Sequence, residues 1–70
     1  MISVDYAMSQ VDNNVRIVCT DGQIVEGLLE SVDDEEESGL GELGISLTTP
    51  YGRWVGIGLS EIREIMPIPA

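Results

Sequence analysis

From Val15 the chain alternates with period two: Val15, Ile17 and Cys19 fall on one side of an extended segment, Arg16, Val18 and Thr20 on the other. Asp21-Gly22 then predicts a hairpin, because a type I′ turn needs positive φ at both central residues. A second strand is predicted from Gln23 to about Val32, with Gly27 in its middle, where a missing side chain lets a strand bend sharply. Leu43, Ile45, Leu47 and Thr49 resume the alternation as a third strand, and Pro50-Tyr51-Gly52 turns the chain. In the fourth, Tyr51, Arg53, Val55, Ile57 and Leu59 alternate with Gly52, Trp54, Gly56 and Gly58. Leu59 to Ile62 reads as a short turn of helical spacing, and Arg63 to Ile68 as a final strand bounded by Pro67 and Pro69.

Ahead of the strands, Val4, Ala7, Met8 and Val11 carry the i, i+3, i+4, i+7 spacing of one helix face. With Ser3 as N-cap, the expected helix covers about residues 3–12 and ends at Asn13-Asn14. A helix so short is unstable alone and must lie on an apolar surface. Between the second and third strands, Asp33 to Glu37 are five consecutive carboxylates, which reads as a solvated, mobile loop over about residues 33–42. Helix then five strands without crossover helices predicts a mostly β fold: a five-stranded, strongly bent antiparallel small barrel over about residues 15–68.

Seventy residues fill one domain, 1–70. In a chain this short, apolar burial and an ordering cost of roughly 1.5 kcal/mol per residue nearly cancel, so a staple or a partner is needed. Cys19 is the only cysteine and there is no His, so neither an internal disulfide nor a zinc site is available. Self-association remains. The net charge of −10, from 13 carboxylates against Arg16, Arg53 and Arg63, opposes broad phosphate binding and favours solubility. No apolar run reaches membrane length and no leader pattern opens the chain, so a reducing cytoplasm is the expected location.

The segment Val15-Arg16-Ile17-Val18-Cys19-Thr20-Asp21-Gly22-Gln23-Ile24-Val25-Glu26-Gly27-Leu28-Leu29 through Asp33 resembles the first motif of the Sm-like family, with Gly22, Gly27 and Asp33 at the matching positions. The resemblance implies a short helix followed by five bent strands, Gly22 and Gly27 as structural turn positions, and a homo-oligomeric ring in which strand four of one subunit pairs with strand five of the next. Val55, Ile57, Leu59, Ile65 and Ile68 are the residues expected at that interface. It also implies an RNA-associated scaffold, with Asp33, Arg16 and Arg53 as the RNA-binding candidates. Two positions depart from the pattern: no Asn follows Asp33, and Gly58-Leu59 stands where an Arg-Gly pair falls. The alternative is a protein-interaction or structural ring that does not bind RNA and attracts a basic protein through its acidic rim.

The acidic run lacks the spaced ligands of a Ca²⁺ loop. Trp54 and Tyr51 could stack on bases, but with only three aromatics in the chain they are expected in packing. Cys19 has no His or Lys to activate it and reads as a small buried hydrophobe. Without those bases an enzyme is not expected, and no cofactor or metal is implied.

Overall fold

The period-two alternation is realised in five antiparallel strands: β1 (Asn14–Cys19), β2 (Ile24–Asp33), β3 (Gly44–Thr48), β4 (Trp54–Gly58) and β5 (Ile62–Pro67). The computed structural model describes residues 3–69, and in it the strands form one sheet in the order β4-β3-β2-β1-β5. Helix α1 (Val4–Ser9) precedes them, α2 (Glu35–Ser38) separates β2 from β3, and a 3-10 turn, Leu59–Glu61, joins β4 to β5. The inward residues Val15, Ile17, Leu29, Ile45, Leu47, Ile57, Ile62 and Ile65 form a single cluster with Ala7 and Leu59. Both ends of the sheet feed that cluster, so the sheet curls around it.

β2 makes the curl. Its first half pairs with β1, from Ile24 to Leu28, and its second half with β3, from Leu28 to Asp33, with an irregularity between Leu29 and Ser31. Gly27 sits at the crossover, where an added Cβ would lie 2.5 Å from the Thr48 carbonyl oxygen. Only a residue without a side chain lets β3 come so near.

The expected barrel is not closed. β4 pairs only with β3 and β5 only with β1, leaving both as edges of an open sheet. The hairpin between β1 and β2 also differs from the two-residue turn predicted at Asp21-Gly22. Gly22 N–H donates to the Cys19 carbonyl and Cys19 N–H to the Gln23 carbonyl, and of the turn residues only Gly22 has positive φ, +91°. This is a three-residue loop ending in a left-handed glycine, and Thr49-Pro50-Tyr51-Gly52 repeats it with Gly52 at φ +79°.

α1 is shorter than the expected 3–12. The Ser3 hydroxyl accepts from Tyr6 N–H at 3.1 Å, as an N-cap should, but the helix stops at Ser9. Asp12 N–H then donates to the Leu29 carbonyl and Leu29 N–H to the Asn13 carbonyl, which ties the chain to β2 instead. The buried face is narrower too: Ala7, Val4 and Val11 meet the core while Met8 is exposed. The acidic segment is not an unstructured loop. Asp33 belongs to β2, and Asp34 caps α2 by accepting from Glu36 and Glu37 N–H. The Ser38 hydroxyl then donates to the Glu42 carbonyl at 2.7 Å.

Candidate functional site

Backbone alternation decides which groups the two edges offer. Thr49 N–H donates to the Arg53 carbonyl and Leu59 N–H to the Leu43 carbonyl, so between them Val55 and Ile57 exchange bonds with β3. The N–H and C=O groups of Trp54, Gly56 and Gly58 therefore point away from the sheet. Gly58 is buried, because the Glu42 carboxylate sits over it, 2.8 Å from where a Cβ would be. That carboxylate accepts from Ser60 N–H and from the Ser60 hydroxyl, each at 2.8 Å. These two bonds, backbone first, hold its pKa below the ordinary glutamate value. The accessible edge is thus Trp54 to Gly56. The Trp54 ring, 62% exposed, lies along the strand with one carbon 3.0 Å from the Cβ position at Gly56.

Behind this edge the open sheet leaves a cleft of about 300 Å³. Val25, Val55 and Ile57 give it apolar walls, Cys19 contributes a thiol, and Asp21 and Glu61 stand at its rim. Burial, then the charges of Asp21 and Glu61, push the Cys19 thiol up from its ordinary pKa of 9.0. Both carboxylates thus face the same space as the thiol. Arg53, at the start of β4, is exposed.

The opposite edge is blunted. Ile68 N–H donates to the Asn14 carbonyl, which turns Met66 and Glu64 toward β1 and leaves Ile65 and Pro67 facing outward. Pro67 has no N–H. The Ile65 carbonyl already accepts from the Tyr6 hydroxyl, 2.9 Å away on α1.

The residues singled out in the sequence are not gathered into one site. Arg16 Nε donates to Glu26 at 2.6 Å across β1 and β2, the only ion pair among the described residues. Asp33 accepts from the hydroxyls of Ser31 and Ser46, at 3.2 and 2.8 Å, and so braces β2 to β3. Arg53 follows the β3–β4 turn, is exposed, and makes no ion pair among the described residues. Of the five residues expected at an interface, Ile57, Leu59 and Ile65 are in the core, and Val55 and Ile68 are half-buried. An edge contact there would use backbone rather than those side chains. Gly22 and Gly27 do occupy the turn and the close crossover. Sequence reasoning missed Tyr6, Glu42 and Ser60, whose partners are distant in the chain.

A second, shallower groove of about 560 Å³ runs between Tyr51, which is 96% exposed, and the Ile24, Arg16 and Glu26 side chains of the outer face. Its charges are already paired with each other. Among the described residues no group of three or more His, Cys, Asp or Glu is placed to hold a metal, and no helix is long and apolar enough to cross a membrane. Compared with protein-family models, with curated proteins and with solved structures, the chain matches none.

Proposed function

We propose that this chain is a protein-interaction module built on an Sm-like sheet and that it works by accepting an extended strand along β4. The observation that carries the reading is the contrast between the two edges. At β4 the outward N–H and C=O of Trp54 and Gly56 stand beside an apolar cleft, whereas at β5 a tyrosine hydroxyl and a proline remove pairing groups. An open edge is a template for another strand, and main-chain bonds supply affinity while flanking pockets supply specificity. The Sm-like assignment is supported by the helix ahead of five antiparallel strands, by the bend at Gly27, and by β4 and β5 as the edges.

A second reading, a homo-oligomeric ring with β4 of one copy on β5 of the next, is favoured by that same strand order. Light scattering at several concentrations separates the two. A monomer at all of them supports the module that accepts a foreign strand. An oligomer that Gly56→Pro dissociates supports the ring, because proline there removes an outward N–H without breaking the β3 ladder.

Both readings leave RNA aside: Arg16 pairs with Glu26, Asp33 accepts from two serines, and the net charge of −10 opposes phosphate binding. Fluorescence anisotropy with oligo-U and oligo-A at low salt, with and without Mg²⁺, is expected to give no binding at tens of micromolar; saturable binding there would return RNA to the first place.

A further inference from the structure

The β4 edge carries more information than its free backbone groups, because what surrounds it is mostly acidic, and apolar inside. A strand laid along Trp54–Gly56 has side chains alternating between the two faces of the sheet. Those turned inward meet the cleft walled by Val25, Val55 and Ile57, whose volume of about 300 Å³ leaves room for aliphatic side chains. The rim of that cleft holds Asp21 and Glu61, and the far end of the strand holds the Glu42 carboxylate fixed by Ser60. Those turned outward meet the exposed Trp54 ring, whose face attracts a cation. Arg53 is the cation at this edge and lies at its beginning, so the negative potential grows toward Gly58.

Resting on the reading of β4 as the working edge, we infer that its occupant is a short basic segment of another protein, extended and alternating aliphatic with Lys or Arg. Aliphatic side chains enter the cleft, the cations that alternate with them lie over the Trp54 ring and toward Glu42, and Asp21 and Glu61 at the cleft rim add to the attraction. A second copy of this chain fits less well: it brings ten further net negative charges and a β5 edge from which the Ile65 carbonyl and the Pro67 N–H are missing. After burial, the charges of Asp21 and Glu61 add to the rise in the Cys19 pKa, as carboxylates facing that cleft do. The acidic surface also speeds encounter with a cationic partner.

Trp54 is the only tryptophan and sits on the edge itself, so its fluorescence reports occupancy. The test titrates the full chain with four synthetic octapeptides. They alternate Lys with Val, Thr with Val, or Glu with Val, and the fourth is the Lys/Val peptide N-methylated at alternate residues so that it cannot pair as a strand. Lys/Val is expected to bind at least about tenfold more tightly than Thr/Val, to weaken by about tenfold between low and high salt, and to lose that advantage in the Asp21→Asn/Glu61→Gln variant. Glu/Val and the N-methylated peptide are expected to give no saturable signal. Equal binding of Lys/Val and Thr/Val would overturn the basic partner and leave the edge reading standing. Tight binding of the N-methylated peptide would show surface attraction without strand addition and overturn the inference. No response to any peptide from a monomeric protein would overturn the edge reading itself, and an oligomer that Lys/Val does not displace would give the edge to a second copy.

Discussion

The Tyr6 hydroxyl donates to the Ile65 carbonyl at 2.9 Å, joining residues 59 positions apart and placing a helix side chain on the outward face of β5. The bond does two things at once. It anchors a six-residue helix that could not persist alone, and it occupies a carbonyl that would otherwise invite a strand.

Tyr6→Phe keeps the ring and removes the donor. Denaturant unfolding is expected to show a loss of about 1 kcal/mol. Sedimentation velocity is expected to show more self-association than in the parent, because the β5 edge regains a free acceptor. An unchanged sedimentation profile across concentrations would mean that the hydroxyl does not guard the edge.

Glu42 gives a pH dependence with a definite sign. Its pKa is held below the ordinary 4.5 by Ser60, so the stability it supplies is present above that value and disappears as pH falls through the lowered one. Urea midpoints of the parent and of Glu42→Gln are expected to differ at neutral pH and to converge in acid. A gap that stays constant down to the lowest pH would show that the carboxylate's charge is not what Ser60 holds.

Gly27→Ala forces a methyl group against the Thr48 carbonyl, where only 2.5 Å is available and the obstacle is backbone. A loss of roughly 2 to 3 kcal/mol is expected from thermal or urea unfolding. The same change at Gly22, where nothing lies within 4 Å, acts only through its positive φ and is expected to cost about 1 kcal/mol.

Cys19 is raised by burial and by Asp21 and Glu61, so its thiolate is scarce at neutral pH. Iodoacetamide is expected to modify it more slowly in the native chain than in urea at pH 8, with the native rate still climbing beyond pH 9. The protonated thiol also means that its share of stability is intact below the ordinary value and fades as pH rises past the raised one. Equal rates in the folded and unfolded chain would contradict the shielding of the thiol in the cleft.

Local patterns carried most of the architecture. The alternation at Val15, Ile17, Ile45, Leu47 and Ile57 told which side of each strand faces inward, and Gly27 told where β2 bends. Sign alone misread the acidic run. Its order comes from short-range caps at Asp34 and Ser38, and from the Glu42–Ser60 bonds that span 18 positions. The candidate site was half legible. Trp54, Gly56 and Gly58 stood out as one face, but whether an edge is open or covered depends on groups arriving from elsewhere, as Tyr6 does on β5. The side chains of Ile57, Leu59 and Ile65, apolar residues on the edge strands and the turn between them, complete the core; alternation cannot separate an edge strand's inward face from a contact surface.

The strand order also imposes a timetable on folding. β1 to β4 follow one another as neighbours and can assemble by successive hairpins, each closing a short loop. β5 must return past all of them to reach β1, bringing Ile62 and Ile65 to a core that is incomplete until they arrive. That pairing closes the longest loop in the sheet, and non-local pairing of this kind is the part of folding that costs most in loop entropy. Without β5 the β1 flank is a bare edge, the kind of surface on which strands of other chains pair and aggregate.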